Sequence, residues 1–514
     1  MHRTISKKLL RLILCLLVIL AAKRASAANQ EHEKPIWLAV TRPIFVQAIK
    51  PLEEKRNTEG FETVISTQPV SEAIDALKRQ PAFLLLVGDD EPGKENESWY
   101  IPSRRRKLYR WRTSQENEFA SDTLWGDFDG DLVPDIPVGR IPVRTAEQLQ
   151  LVVNKILTYE NRQPTLDDLR LPVWAGTAAY DQVSNYMATE LLLNLIQMYA
   201  SKWLIPWVIS ANPMHSLCGW PFEQPVMFTK QLKRGGAMAV LMGHGSEKSF
   251  YSMQFNGQQL GYSAEIAKQG LTTSEPAPAM VIIACSTGKF TESENCLAES
   301  LLSMPGGPVA VIGATTESHP LTNYFSGLCL LQEHGEKDKR FGSVWLAAQR
   351  KAMKTRDLII ERMLVDVEGK LEEKMNVAKL RRDQILMYAL LGDPALRMHL
   401  PDKLNCRIKH SADGWHWEAD KPDDASKLYV GFRKAGQKIP PVTQKLDKDA
   451  AQKLFEQANA TFAFEQVNEL TAEQDWRGTI DQNKEGILRL VAIGPKTMYA
   501  ACLNLRLSEL DADK

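Results

Sequence analysis

Several features that define other protein classes are scarce in this sequence of 514 residues. It has only 7 cysteines, widely spaced and without a CxxC pair or a Cys/His cluster, which excludes a disulfide-stapled scaffold and a zinc site of ordinary spacing. No low-complexity tract interrupts the chain, and no apolar run reaches the roughly 18 residues that a membrane-spanning helix needs. Collagen-like, disordered and multi-span membrane proteins are therefore excluded. The content of 44% hydrophobic and 25% charged residues is that of a folded globular protein.

An excess of either charge is also lacking, with 63 Lys and Arg against 63 Asp and Glu. Residues 1–27 hold six of the basic residues and no acidic one, so 57 basic and 63 acidic residues remain, a net charge of −6. Such a chain has no global attraction to nucleic acid or anionic lipid, and we expect no nucleic acid as a partner.

The first 27 residues have the layout of a secretory signal peptide. Basic residues precede a short apolar run over 12–22, and the small residues Ala25, Ser26 and Ala27 follow it. We expect cleavage after Ala27 and a secreted protein, extracellular or periplasmic. Because the run is too short to span a bilayer as a stable helix, no stable membrane insertion is expected after cleavage.

Short apolar runs alternate with helical patterns along most of the chain, which predicts an α/β protein. One βαβαβ series covers residues 36–87 and a second covers 172–312, so we expect two consecutive open parallel-sheet units. Helical patterns fill 341–391. From about residue 404 the pattern changes to short strands typical of a small all-β sandwich. The expected segments are a signal peptide at 1–27, an N-terminal α/β subdomain at 35–165, a second α/β subdomain at 166–400 and a β-sandwich domain at 403–514.

Two apolar strands of the second series end in chemically reactive side chains. Residues 237–242 lead into Gly243-His244-Gly245, and residues 280–284 lead into Cys285. Both side chains should lie at the carboxyl edge of the sheet, about 5–10 Å apart if their strands are neighbours or next-neighbours. A thiolate is a strong nucleophile, and a nearby imidazole stabilises it and can protonate a leaving amine.

This pair predicts acyl transfer that needs no metal and no cofactor for the chemistry. The backbone N–H groups of Gly245 and Cys285 are candidates for binding the developing oxyanion. The alternative is a hydrogen-bonded loop histidine at His244 and a buried thiol that packs as a small apolar group.

The order of the pair, with the histidine 41 residues before the cysteine, is that of caspases and not of papain-like enzymes. Together with further stretches, it resembles the gingipain family of secreted cysteine endopeptidases, which have a caspase-like fold. The stretches are 84–89, 135–144, 243–247, 284–285, 296–299, 309–315 and 391–394. The resemblance covers roughly residues 35–400 and implies a caspase-like catalytic region in which His244 and Cys285 are catalytic and the backbone amides of Gly245 and Cys285 form the oxyanion hole. It also implies that an immunoglobulin-like domain follows.

Two departures from the gingipain pattern concern the acidic residue beside the catalytic histidine and the substrate pocket. Where the family keeps that acidic residue, this chain has the run 177–181. Its last residue, Asp181, can instead form the acidic floor of a specificity pocket, as in the arginine-selective members. The tryptophan that walls the pocket in those members is replaced near Ser318 and His319. We assign Asp181, Ser318 and His319 to substrate binding, and Asp181 and Glu247 are further candidates for an acid near the catalytic pair.

Four carboxylates alternate around Gly130 in the segment 127–135. Calcium prefers six to eight oxygen ligands from a tightly turning loop, although the distal Glu of an EF-hand is missing here. Because gingipains bind calcium structurally, we expect a structural calcium ion at this loop; the alternative is an Asx-turn loop with solvated acids. The expected ligands are Asp127, Asp129, Asp131 and Asp135.

These observations predict a secreted cysteine endopeptidase that acts on protein or peptide substrates. Cys285 attacks a peptide carbonyl, His244 protonates the departing amine, and water hydrolyses the thioester. Two alternatives stay open: a non-catalytic binding or attachment protein on the same scaffold, and a processing transpeptidase with a sortase-like role in secretion. No oligomeric state follows from the sequence.

Overall fold

The computed structural model describes residues 33–109, 117–177, 182–334, 339–358, 361–362, 376–481 and 483–506, without the side chains of 182–184. The predicted signal peptide and Asp181 lie outside these residues. Within them, no helix is both long enough and apolar enough to cross a lipid bilayer.

The described strands and helices are numbered in chain order. The strands are β1 (Ile36–Val40), β2 (Glu62–Ser66), β3 (Phe83–Val87), β4 (Arg104–Lys107), β5 (Glu118–Ser121), β6 (Val138–Ile141), β7 (Arg170–Ala175), β8 (Ile205–Ser210), β9 (Ala239–Met242), β10 (His244–Gly245), β11 (Ser249–Phe255), β12 (Gln258–Ser263), β13 (Met280–Ile283), β14 (Val311–Ala314), β15 (Tyr388–Leu391), β16 (Asp402–Lys403), β17 (Cys406–Ser411), β18 (Gly414–Ala419), β19 (Lys427–Lys434), β20 (Glu465–Thr471), β21 (Arg477–Ile480), β22 (Gly486–Ile493) and β23 (Met498–Leu505). The helices are α1 (Val46–Thr58), α2 (Val70–Asp75), α3 (Ala146–Asn161), α4 (Gln182–Tyr199), α5 (Gln224–Arg234), α6 (Ala264–Gly270), α7 (Leu297–Leu302), α8 (Pro320–Glu333), α9 (Phe341–Lys354), α10 (Val377–Met387) and α11 (Lys448–Ala460).

Ten of the described strands form one mixed sheet in the order β2-β1-β3-β6-β15-β14-β13-β9-β7-β8. Strands such as β1 and β3 consist of five apolar residues and are buried along their whole length, as expected for parallel strands covered by helices on both faces. The carboxyl edge of this sheet collects the loops that follow β9 and β13, which contain the candidate catalytic residues.

The prediction of two consecutive open sheet units is correct in its strands but wrong in their separation. β15 pairs in parallel with β6 of the first unit and antiparallel with β14 of the second, so both units belong to one continuous sheet. Residues 388–391 were expected to end a helical region. Because these four residues are apolar and fully buried, their pattern does not distinguish a core strand from the end of a buried helix.

The C-terminal region contains a five-stranded sheet, β16-β23-β22-β19-β20, and a three-stranded sheet, β17-β18-β21. Buried residues of both sheets, including Trp415, Trp417, Leu428 and Leu488, share one apolar core. The expectation of an all-β region is wrong at Lys448–Ala460, where α11 forms. The immunoglobulin-like arrangement stays a prediction.

The helix α11 covers one edge of the ten-stranded sheet. Asn459 accepts a hydrogen bond from the Val208 N–H (2.7 Å) and donates one to the Val208 carbonyl (3.2 Å). Since β8 is an edge strand, its backbone groups need such partners. Phe455 of the same helix packs edge-on against Trp207 of β8 at 5.4 Å between ring centroids, so apolar packing supports these hydrogen bonds.

Candidate active site

The structure places His244 and Cys285 at the ends of two adjacent strands. β9 and β13 pair in parallel with Met242 opposite Ile283, and the Gly243 N–H donates to the Ile283 carbonyl at 3.1 Å. His244 and Cys285 therefore each lie two residues beyond this last pair, at the same edge of the sheet. The sequence left open whether the two strands are neighbours or next-neighbours in the sheet. The structure shows that they are direct neighbours.

Gly245 lies against the backbone of the cysteine loop. A Cβ atom at this position would lie 2.7 Å from the Cys285 carbonyl oxygen and 2.8 Å from Thr287 Cγ2, which leaves no room for a side chain. The histidine is exposed and Cys285 is half-buried. Both residues are therefore accessible to solvent, His244 more than Cys285.

The three-stranded antiparallel sheet formed by β10, β11 and β12 sets the direction of the Gly245 amide. The Ser246 N–H donates to the Ser249 carbonyl at 2.8 Å. Two residues before Ser246, His244 pairs with Tyr251 of β11. Hydrogen-bonded pairs alternate in an antiparallel ladder, so the intervening pair of Gly245 and Phe250 does not exchange hydrogen bonds. The Gly245 N–H therefore points away from β11, which the predicted oxyanion role requires. Sequence analysis did not anticipate this sheet.

Cys285 sits at a bend that ends β13. The next residue, Ser286, has a φ of 56°, and its N–H donates to the Thr316 carbonyl at 2.9 Å. A non-glycine residue in this left-handed region costs free energy, and such positions concentrate at functional sites. The bend turns the cysteine out of the strand direction, and the residue in the left-handed conformation is a serine and not a glycine.

The sulfur of Cys285 lies against Ser318. Its S–H donates to the Ser318 carbonyl at 3.6 Å, and the Ser318 hydroxyl oxygen is 3.8 Å away. Ser318 and His319 are both buried, with 7% and 9% of their surface exposed, and His319 Nδ1 accepts from the Leu321 N–H at the start of α8. The structure thus brings Ser318 to the sulfur, whereas His319 caps a helix. Their role in substrate binding stays a prediction, and Asp181 lies outside the described residues.

Glu247 is engaged by other groups. Its carboxylate lies 3.7 Å from Lys289 Nζ, so a cation on the cysteine loop compensates its charge. Its carbonyl oxygen accepts from the Leu297 N–H at 2.6 Å. The candidate acid therefore connects the histidine loop to its neighbours.

The first turn of α7 holds the two loops together. The Leu297 N–H binds the Glu247 carbonyl of the histidine loop, and the Ala298 N–H binds the Thr287 carbonyl of the cysteine loop at 3.0 Å. Glu299 closes the turn by accepting from the Cys296 N–H at 2.7 Å in a capping box. The stretch 296–299 stood out in the sequence, but its role became visible only in the structure.

Burial determines the protonation of Glu299. Loss of solvation, followed by the negative charge of Asp89, raises the pKa of Glu299 to about 8. The side chain therefore carries a proton through most of the neutral range.

The acidic loop brings three of its four carboxylates together. One oxygen each of Asp127, Asp129 and Asp135 lies within 4.8 Å of the other two. Asp131 is not part of this group, and its Oδ1 accepts from the Val133 N–H at 2.7 Å. Burial is the main cause that raises the pKa of Asp127, with its acidic neighbours adding to the effect. An oxygen-only donor set of this charge fits a hard cation such as calcium.

Comparisons with known proteins agree with this architecture. The model of peptidase family C25 matches residues 31–399. Gingipain R2 of Porphyromonas gingivalis is 26% identical over 313 residues, which cover 56% of this chain and 37% of the relative. Gingipain R1 of Porphyromonas gingivalis is 26% identical over 208 residues, covering 38% of this chain and 19% of the relative. The chain thus matches 37% of the length of the first curated relative and 19% of the length of the second.

Solved structures show the same fold. The complex of Porphyromonas gingivalis RgpB pro- and mature domains matches with a TM-score of 0.51 and 16% identity, covering 92% of this chain and all of the matched chain. The Arg specific cysteine proteinase gingipain R (RGPB) matches with a TM-score of 0.51 and 16% identity over 93% of this chain and 99% of the other. Because the family model covers most of the sequence and the fold agrees, the chain belongs to peptidase family C25.

Proposed function

We propose that this protein is a cysteine endopeptidase in which Cys285 is the nucleophile and His244 the general acid. The observation that carries this proposal is the parallel pairing of β9 and β13, which brings an exposed imidazole and a half-buried thiol to one edge of the sheet. Membership of peptidase family C25 supports the same class of reaction.

The proposed reaction has two stages. The thiol proton of Cys285 passes to His244, the sulfur attacks the peptide carbonyl carbon, and the resulting oxyanion faces the N–H groups of Gly245 and Cys285. His244 gives a proton to the departing amine, the C–N bond breaks, and a thioester remains. Water then attacks the thioester and gives a proton to His244, and the C–S bond breaks. His244 returns the proton to the departing sulfur, so the carboxylic acid is released and the cysteine thiol is restored.

Protein or peptide chains are the proposed substrates, and cleavage after Ala27 would release the enzyme outside the cytoplasm. One matched structure is named as Arg specific, which makes a basic residue before the scissile bond the first preference to test. Another contains a pro-domain with its mature domain, so a pro-segment is a candidate partner.

A peptide library incubated with the chain beginning at residue 28 tests the proposal. We expect cleavage by the unaltered protein and a loss of at least about a hundredfold in Cys285→Ala, because the proposed thioester forms on the sulfur of Cys285. Cys406→Ala is the matched control, since it removes a half-buried thiol in the C-terminal sheet. Cleavage that persists in Cys285→Ala would remove Cys285 from the mechanism.

The two alternatives give different products in the same assay. A transpeptidase would join the acyl fragment to an added amine such as a glycine peptide, and mass spectrometry would detect the ligated product. A binding protein would retain peptides without cleaving them.

We also propose that the acidic loop binds a structural calcium ion through Asp127, Asp129 and Asp135. The closeness of the three carboxylates supports this proposal, because they repel one another unless a cation lies between them. Chelation should lower the melting temperature, and added calcium should restore it. Asp127→Asn should abolish this response, whereas Asp131→Asn should keep it, since Asp131 lies apart from the group. A melting temperature unaffected by chelation would contradict the proposal.

A further inference from the structure

A chain of hydrogen bonds leads from the sulfur of Cys285 into the protein interior. The Ser318 hydroxyl, 3.8 Å from the sulfur, accepts from Asn323 Nδ2 at 2.8 Å. Asn323 Oδ1 in turn accepts from the Tyr388 hydroxyl at 2.8 Å and from Gln384 Nε2 at 2.9 Å. Ser318, Gln384 and Tyr388 are buried, so solvent does not compete for these contacts.

The two donors at Asn323 Oδ1 determine which way the amide faces. Since Oδ1 is occupied by Tyr388 and Gln384, the Nδ2 end of Asn323 points to Ser318. Gln384 is oriented by its own partners, because its Oε1 accepts from the Thr322 hydroxyl at 2.8 Å. The network therefore fixes the direction in which the protons are donated.

This direction leaves the Ser318 hydroxyl proton available as a donor. Its oxygen already accepts from Asn323, so its single proton goes to another acceptor nearby. Among the described residues, the oxygen of Tyr388 and the sulfur of Cys285 are acceptors close to this proton. A hydrogen bond with Ser318 opposes the burial that raises the pKa of Tyr388. A thiolate is the stronger acceptor because the hydrogen bond to it is assisted by charge.

Ser318 can thus serve both forms of the cysteine. The neutral thiol donates to the Ser318 carbonyl oxygen, as in the structure. After deprotonation that bond is lost, and the hydroxyl of the same residue can donate to the negative sulfur. Hydrogen bonding to the charged form of an acid favours its ionisation.

We propose that Ser318 stabilises the thiolate of Cys285 and that Asn323 is a positioning residue that directs the Ser318 hydroxyl proton toward the sulfur. The proposal deepens the proposed peptidase function, since it assigns a thiolate-stabilising group to the nucleophile in addition to His244. Ionisation of the thiol can be measured without a substrate, so the two proposals can fail separately.

Other titratable residues surround the cysteine, and none of them is substituted in the variants that are compared. His244 follows the neighbouring strand, His319 adjoins Ser318, and Tyr388 lies on β15. Lys289 of the cysteine loop is paired with Glu247 and Glu292. His244, His319 and Lys289 are unaltered in every variant, whereas Tyr388 loses its hydrogen bond with Ser318 in Ser318→Ala. Ser318→Thr keeps that hydroxyl, so its comparison with Ser318→Ala reports on the Ser318 hydroxyl group.

The test is the pH dependence of alkylation of Cys285 by iodoacetamide, read by mass spectrometry of the peptide that contains it. We expect Ser318→Ala to lower the alkylation rate at pH 7 by about three- to tenfold, since one hydrogen bond to a charged group is lost. The rate at high pH, where the thiol is fully ionised, should not change. Ser318→Thr keeps the hydroxyl and should restore the rate at pH 7.

Asn323→Asp examines the positioning role independently. A carboxylate at this place accepts the Ser318 proton and adds a negative charge, so we expect a lower alkylation rate at pH 7 than in the unaltered protein. Ser326→Ala is the matched control. Ser326 accepts from Gln384 at 3.0 Å in the same network, but it lies two hydrogen bonds further from the sulfur than Asn323 does. This control should leave the alkylation profile unchanged.

The outcomes separate the two proposals. Unchanged profiles in folded Ser318→Ala and Asn323→Asp, or an equal shift in Ser326→Ala, would overturn the role of Ser318, even if the protein cleaves peptides. A shift confined to Ser318→Ala and Asn323→Asp would support it, even if no peptide is cleaved. If Ser318→Ala does not fold, the comparison of Asn323→Asp with Ser326→Ala and the unaltered protein decides between these outcomes.

Discussion

Ser286 shows how a single residue shapes the candidate site. Its φ of 56° is one of three positive values among non-glycine residues in the described part of the chain, and its side chain is buried next to the cysteine. Serine tolerates this conformation at a cost of about 1–3 kcal/mol, whereas a β-branched residue fits it less well. The bend at Cys285 therefore depends on a residue at position 286 that tolerates the left-handed backbone conformation.

We predict that Ser286→Val lowers the free energy of unfolding by about 1–3 kcal/mol. Urea denaturation followed by tryptophan fluorescence measures this change. Thr287→Val is the matched control: Thr287 Oγ1 is buried and has no hydrogen-bond partner within the described residues, so its removal should be neutral or stabilising. Equal losses in the two variants would show that backbone conformation at Ser286 is not the cause.

At the scale of secondary structure, α7 connects the histidine loop after β9 with the cysteine loop after β13. It has only six residues, too few to be stable by itself, and its capping box and its bonds to Glu247 and Thr287 hold it in place. Glu299 is central to this arrangement because it accepts from the Cys296 N–H while buried.

Glu299 should make stability depend on pH. Its pKa is raised to about 8 in the folded protein by burial, compared with 4.5 in the absence of such effects. Between these values the folded state keeps a proton that the unfolded state releases, so the free energy of unfolding falls as pH rises from about 4.5 to 8. Glu299→Gln keeps an acceptor for Cys296 and stays neutral, so we predict that it removes this decrease.

Urea denaturation at pH 5, 6.5 and 8 checks the prediction. The variant should gain stability relative to the unaltered protein as pH increases. The exposed Glu54→Gln provides the control and should leave the pH dependence as it is. Parallel curves for Glu299→Gln and the unaltered protein would contradict the assignment.

At the scale of the whole molecule, β15 and the residues after it join the two halves of the sheet. Asp393 follows β15, and its carboxylate accepts from Trp37 Nε1 at 3.1 Å and from Arg56 Nε at 2.8 Å. Arg56 is fully buried and also binds Glu160 of α3 at 2.9 Å. Removing one partner from such a group leaves a buried charge without its compensation.

We predict that Asp393→Ala lowers the free energy of unfolding by roughly 3 kcal/mol or more. Asp402→Ala is the control, because the Asp402 side chain is half exposed in its ion pair with Lys339 and its removal should cost less than about 1 kcal/mol. Urea denaturation measures both. A small loss in Asp393→Ala would mean that Glu160 and Glu59 suffice to compensate Arg56.

Much of the architecture followed from local pattern. The alternating series over residues 36–87 contains β1, β2 and β3, and the strand ends that bear His244 and Cys285 lie at the carboxyl edge of the sheet, as the pattern predicted. Buried parallel strands are apolar along their whole length, and the residue after each such run is the first that can reach solvent. A strand that is buried on both faces can therefore be recognised from a run of consecutive apolar residues.

Contacts between distant segments were beyond the reach of local pattern. The insertion of β15 between β6 and β14, the α7 bridge and the hydrogen bonds from Ser318 to Tyr388 each join residues far apart in the sequence. Likewise, the spacing of the acidic loop suggested four ligands, but the turn brings only Asp127, Asp129 and Asp135 together. The sequence alone determined which strands end in reactive side chains, because hydrophobicity is a property of each residue. The tertiary structure decided which of these ends meet and which groups surround the sulfur, because packing and hydrogen-bond direction depend on all neighbours at once.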